Sequence, residues 1–311
     1  MELTNRLKRR FIKDCSLPIA LTDEPYFSYF IDLYDEAFST KKKLESFKKI
    51  VDRFENECEV LDYLQSITDG IFNSIKEKSV YQDYLKADMK NFVVKSNYPS
   101  SSIFKECHTG KKLISIDLSK ANFQAMNFFD KNILESDSYE EFIRKYTDEE
   151  YIINSKYIRQ VIFGNLNSKR LGTIEKYMIY QIVEKLEPLG YTILLVTDDE
   201  IVLEGDEDIY NNVVNIVSNM TSIKVAIELF VLKTLRNENG QPFKSDKFYV
   251  KEFISYTDNK KLDFEIKATD STFYAQFFKL LTNKEINEND LVFINNGFVA
   301  KYKEPIIGEV Y

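Results

Sequence analysis

Four carboxylates in two short stretches are the residues of this chain best suited to chemistry. Asp117 closes LISIDLS, and Asp198, Asp199 and Glu200 stand together in TDDEIVLE. Strand ends and tight hairpin tips are rigid, so carboxylates on neighbouring strand ends can converge closely. Such a convergence without a basic partner is costly, and a divalent cation held between the carboxylates removes the cost. Donors that are all oxygen select Mg²⁺ or Mn²⁺. Two such ions stabilise the attacking and leaving oxygens of an in-line phosphoryl displacement. Each stretch alone also has a plain structural reading, an acidic tip being commonly a solvated turn and a strand-end Asp a cap. Their joint presence is what points to phosphoryl chemistry.

The elements that must hold these residues can be read from periodicity. Residues 113–119 alternate as a strand and run into the helical pattern NFQAMNFFD; TIEKYMIYQIVEKLEPLG is a helix stopped by Pro188 and Gly190. Ile193–Thr197 and Ile201–Glu204 are apolar runs separated by the acidic residues, which predicts a hairpin with carboxylates at its tip. DIYNNVVNIVSNM reads as helix and SIKVAIELFVLK as strand. This order predicts an α+β fold, an antiparallel sheet with helices on one face. Ahead of it, Tyr26 to Phe92 is helical in pattern, and KSNYPSSS (95–102) carries loop formers. The expected organisation is a helical N-terminal region (1–100), a sheet region (101–240) and a small C-terminal α/β module (241–311).

Composition narrows the chemistry further. Of 311 residues one is histidine, His108, which removes His-based metal clusters and argues against a His-dependent triad. Cys15, Cys58 and Cys107 have no paired spacing, so neither a disulfide framework nor a Cys zinc site is expected. No apolar run has the length of a membrane span or signal peptide, which predicts a cytoplasmic protein without a membrane partner. The net charge is −8, with the acid excess concentrated after residue 112. That charge opposes binding of nucleic acid by overall attraction and predicts a weak, salt-sensitive grip. The basic clusters LKRR (7–10), KKK (41–43) and Lys111–Lys112 are candidates for a template or primer track, or are solvated faces. FYVKEF and TFYAQFF are candidates for a stacking platform, or core.

The ordered set of motifs over about residues 110–236 resembles the palm of family A DNA polymerases, the bacterial polymerase I group, and more distantly the single-subunit phage RNA polymerases. The family's first motif, a strand ending in Asp-x-Ser-Gln-x-Glu, corresponds to Asp117, Ser119, Lys120 in place of Gln, and Asn122 in place of Glu. Its fingers helix corresponds to KYIRQVIFGNLN, with Arg159 at the Lys position and Phe163-Gly164, while Leu166 and Asn167 replace Tyr-Gly. Its His-Asp-Glu tip corresponds to Asp198, Asp199 and Glu200. The segment between Arg159 and Asp199 is short for the family, and no thumb or exonuclease pattern is recognisable in the residues ahead of the palm motifs.

The resemblance implies a nucleotidyltransferase, a compact DNA polymerase that adds nucleotides to a 3′-OH with two Mg²⁺ or Mn²⁺ ions. Asp117, Asp199 and Glu200 would be catalytic, with Asp117, Asp199 and Asp198 as metal ligands. Arg159 and Lys156 would meet nucleotide phosphates, and Phe163 would stack under the base or lie in the core. Ser119 would bind substrate and Asn122 would border the sugar, the shorter amide relaxing the exclusion of a ribose 2′-OH. In reverse transcriptases, whose palm is built similarly, an Asp-Asp tip uses the first Asp, so Asp198 and Asp199 remain alternatives. The implied partners are nucleoside triphosphates, a DNA or RNA primer-template and a protein supplying grip, in a viral or phage protein acting inside a host cell. Two other readings fit these residues: a primase-like, RNA-making or template-independent polymerase, and an inactive palm serving as a replication or transcription accessory.

Overall fold

The computed structural model describes residues 1–220, 222–236, 248–306 and 309–310. Its centre is an antiparallel sheet formed by β1 (Lys112–Leu118), β2 (Ile193–Val196), β3 (Glu200–Glu204), β4 (Val225–Arg236), β5 (Tyr249–Tyr256) and β6 (Phe264–Lys267), in the order β2-β3-β1-β4-β5-β6. A β7–β8 hairpin (Val292–Asn295, Phe298–Lys301) stands apart, and β9 (Glu309–Val310) pairs with the end of β4. The first four strands form two interleaved split βαβ units: β1 and β2 flank β3, while β3 and β4 flank β1. The fold is α+β, with helices layered on one face of the sheet.

The helices are α1 (Asn5–Asp14), α2 (Tyr26–Leu33), α3 (Asp35–Phe38), α4 (Thr40–Val51), α5 (Glu57–Lys76), α6 (Ser79–Lys86), α7 (Ala121–Phe129), α8 (Tyr139–Arg144), α9 (Glu150–Ile153), α10 (Lys156–Gly164), α11 (Ser168–Leu186), α12 (Glu207–Ser218) and α13 (Ser271–Leu281). Their starts follow from side-chain caps: Thr4, Asn56, Ser155 and Asp206 each accept from a backbone N–H of the first turn. Their burial follows the helical period, as in α5, where Val60, Leu64, Ile71 and Ile75 face the core.

Strand alternation divides the sheet into two faces. Ile114, Ile116, Ile201, Leu203, Ile227 and Leu229 turn toward the helices and join one core with the N-terminal helices. Leu113, Val202, Phe230 and Leu232 turn the other way and pack with Tyr249, Phe253 and Ile103 in a second, smaller cluster. β1 is therefore buried on both sides from Leu113 to Ile116 and again at Leu118, and is open at Lys112 and Asp117.

Two connections bear on the expected organisation. Within KSNYPSSS, which spans the expected boundary at 100/101, the Pro99 carbonyl accepts from Val196 N at 2.9 Å, and the chain then lays Ile103 and Phe104 over the second cluster. β5 pairs along β4 and β6 along β5, extending the same sheet, because Phe230 and Leu232 need apolar neighbours that Tyr249 and Phe253 supply. The expected boundary at 240/241 lies outside the described residues.

Candidate functional site

Register alone assembles the acidic residues. Asp117 pairs directly with Glu200 on β3 and with Ala226 on β4, and Leu118 N donates to the Asp199 carbonyl at 2.9 Å. Directly opposed residues on an antiparallel pair have Cβ atoms about 4.5–5.5 Å apart and share a face. Asp117, Ser115 and Glu200 consequently share the face away from the helices.

The tip between β2 and β3 is a two-residue loop, Asp198-Asp199, closed by Thr197 N donating to the Glu200 carbonyl at 2.8 Å. The Thr197 hydroxyl accepts from Glu200 N at 2.9 Å and stands 3.1 Å from Asp199 Oδ1, fixing the second aspartate. Asp198 turns toward the helix layer instead. Lys176 lies 3.8 Å from its carboxylate, and a Cβ on Gly172 of α11 would stand 3.6 Å from Asp198 Oδ2.

The charges on the open face are unequally compensated. Ser115 Oγ donates to Glu200 Oε1 at 2.5 Å, and Lys251 Nζ of β5 lies 3.8 Å from the same oxygen. Lys251 also binds Glu228 at 3.0 Å, and Lys260 closes on the other Glu228 oxygen. Burial opposes ionisation of Glu228, yet Lys251 and Lys260 outweigh it and hold its carboxyl below the usual range. Among the described residues Asp117 and Asp199 have no ion-pair partner. Asp117 is exposed as a residue, but its carboxyl is crowded. Desolvation first, then the charges of Glu200 and Asp199, push it up to about 6 against the pull of Lys251.

A second carboxylate is perturbed in the same direction. Glu175 of α11 is 8% exposed, its Oε1 has no hydrogen-bond partner, and burial, then Asp199 and Asp198, push it up to about 7. The sequence concealed it because it lies inside the apolar pattern TIEKYMIY. Ser115 was visible in principle, being two residues before Asp117 and so on its face, whereas Lys251 and Glu228 become neighbours of the site only through the β4–β5 pairing.

The remaining candidates form a separate group beside the β1–α7 turn. Ser119 and Lys120, the latter at φ 54°, lead into α7, and Gln124 anchors the turn by donating to the Ser119 and Lys224 carbonyls at 2.5 and 2.6 Å. Asn122 is half-buried in the first turn of α7. Arg159 lies 5.4 Å over the Tyr139 ring, and burial, opposed by Tyr139 and Glu140, lowers its pKa. Lys156 is exposed at the start of α10. Phe163 is fully buried against Phe123, Tyr139 and Phe142, so a stacking role for it is corrected to core packing.

The basic clusters are largely consumed internally. Lys8 pairs with Glu24, Arg10 with Asp14, Lys41 with Asp32, Lys111 with Glu204 and Lys112 with Glu207. The aromatic segments are core as well: Tyr249, Phe277 and Phe278 are buried. No described helix is long and apolar enough to cross a membrane.

Among the described residues no three Asp, Glu, Cys or His side chains close into an ion cage. Mg²⁺ does not need one: it is commonly held by one or two carboxylates, waters and substrate phosphates. The all-oxygen pair Asp117 and Asp199, left uncompensated while Glu200 and Glu228 are paired, fits that requirement. No protein-family model, no curated protein and no solved structure matches the chain.

Proposed function

We propose that the chain is a nucleotidyltransferase of the polymerase type, resembling family A, which joins nucleoside triphosphates to a primer 3′-OH. The observation that carries this reading is the register joining Asp117 to the hairpin tip on the open face of a split-βαβ sheet. Asp117 and Asp199 would hold the two divalent ions. When bound, Mg²⁺ or Mn²⁺ supplies stabilisation of the negative charge that develops on the attacking and leaving oxygens. The Leu118–Asp199 backbone bond and the pairing of Asp198 with Lys176 favour Asp199 over Asp198 as the ligand. Ser115 and Lys251 orient Glu200 beside them.

Beyond the carboxylates, Ser119 and Asn122, beside the turn held by Gln124, would contact the bound nucleotide, and the short amide of Asn122 would leave room for a 2′-OH. Arg159 offers its guanidinium to phosphate oxygens from above Tyr139, with exposed Lys156 one turn earlier. Because most basic-cluster side chains are already paired, firm hold of a DNA or RNA primer-template is assigned to a partner protein.

Primer extension tests the reading, using wild type, Asp199→Asn and Asp198→Ala on templated and blunt primers. Each is run with Mg²⁺ or Mn²⁺ and with dNTPs or rNTPs. Extension should occur with wild type, fall by at least about a hundredfold in Asp199→Asn, the scale of losing one electrostatic stabiliser, and persist in Asp198→Ala. Absence of extension under every condition would end the polymerase reading, and strict rejection of rNTPs by an active enzyme would end the relaxed sugar choice.

A further inference from the structure

The geometry points to Lys251, on a strand from the last third of the chain, as a positioning residue of the acidic site: it ties up Glu200 and Glu228, so that among the described strand-end and tip carboxylates Asp117 and Asp199 are left without an ion-pair partner to bind a divalent cation. The inference rests on the proposed function only in taking those two aspartates as the cation site.

Lys251 is 5% exposed, and its ammonium sits 4.6 Å over the Phe230 ring, 3.0 Å from Glu228 Oε2 and 3.8 Å from Glu200 Oε1. A cation so enclosed has little freedom to withdraw. Glu228 takes Lys260 on its second oxygen, and Lys260 itself rests 4.5 Å over the Phe253 ring with Asp258 3.7 Å away. Glu200 is also held by the Ser115 hydroxyl. Lys251 and Lys260 thus offset Glu200 and Glu228, with Asp258 beside Lys260, while Asp117 and the tip residue Asp199 have no ion-pair partner among the described residues, and their charge matches that of one divalent ion without substrate. A further ion would have to arrive with the phosphates of a nucleotide. Glu200, though it stands next to Asp199 in sequence and opposite Asp117 in register, is a supporting group and not a ligand.

Mn²⁺ alone, titrated into the nucleotide-free full-length chain and followed by the electron paramagnetic signal of free Mn²⁺, is the test. Asp117→Asn should abolish tight binding, while Glu200→Gln should leave the affinity within about twofold of wild type. Lys251→Met should tighten binding by about tenfold, the scale on which one charge within 4–6 Å acts on a carboxylate. The double variant Lys251→Met/Glu200→Gln should lose most of that gain, and Lys251→Arg should behave as wild type. A merely structural lysine predicts weaker binding in Lys251→Met and no dependence on Glu200. Should Lys251→Met fail to fold, Glu200→Gln decides alone, because equal weakening by Glu200→Gln and Asp117→Asn would make Glu200 a ligand and overturn the inference while leaving the cation site standing. Wild type that binds no Mn²⁺ would overturn both the inference and the proposed function.

Discussion

Glu175 is a buried acid whose native environment favours its proton. Its carboxyl is moved from an ordinary value of 4.5 to about 7, chiefly by burial and then by Asp199 and Asp198. The native state therefore holds this proton more tightly than the unfolded chain. The resulting stabilisation is complete below pH 4.5 and is lost as the pH rises through about 7. Glu175→Gln keeps the shape and removes the titration. Its stability relative to wild type should rise between pH 5 and pH 8, reaching on the order of 2–3 kcal/mol at 1.36 kcal/mol per pKa unit. Urea melts at the two pH values check this, and a difference that does not change with pH would sink it. Neither composition nor periodicity revealed this residue, because a charged side chain at one position of an apolar helix reads as its solvent-facing edge.

At the scale of elements, the strand bearing Asp117 and the acidic hairpin were legible because both rest on local signals: alternation in LISIDLS and two apolar runs around a polar tip. What joins them is not local. The pairing of β1 with β3 and β4 spans long sequence separations, and the irregular register between Leu229 and Phe230 shapes the pairing that delivers Lys251. The same limit applies to Phe163, since only packing of α10 against α7 shows that its ring is enclosed. Two glycines separate the supports of the site. At Gly205, between β3 and α12, a Cβ would lie 2.7 Å from Ile114 Cδ1 and 3.0 Å from Ile209 Cγ2, with Ile114 fully buried. Gly205→Ala should cost about 1–3 kcal/mol, the range for overpacking. At Gly172, inside α11, a Cβ meets only Asp198 at ordinary contact distance, so Gly172→Ala should gain about 0.5–1 kcal/mol of helix stability. Paired chemical denaturation of the two variants decides the matter; equal effects would refute the packing described at both places.

At the scale of the whole molecule, the N-terminal helices are structural partners of the rest, though sequence patterns made them look separable. Phe11 and Phe47 pack on Tyr151 at 6.4 and 4.9 Å, the Tyr151 hydroxyl donates to buried Asp14 at 2.9 Å, and Ser155 Oγ donates to the Asp14 carbonyl at 2.7 Å. Asp14 gains its hydrogen bonds from both sides of that contact: Arg10 within its own helix and Tyr151 from the sheet region. At the other end Tyr34 meets Phe278 and Tyr274 of α13 at 5.3 and 5.7 Å, and the Tyr29 hydroxyl donates to buried Asp290 at 2.6 Å. One set of helices therefore braces both α9–α10, which carries Arg159, and α13, which follows the strands carrying Lys251. Removing residues 1–100 would strip apolar cover from both places and leave Asp290 without the Tyr29 hydroxyl, a burden a shortened core cannot offset. The full-length chain should consequently unfold in a single calorimetric transition whose calorimetric and van't Hoff enthalpies agree. A fragment starting at residue 101 should lack a cooperative transition. Two resolved transitions in the intact chain, or a cooperative melt of the fragment, would show that the helical region and the sheet are independent folding units and that the bracing of the site from both ends is not required.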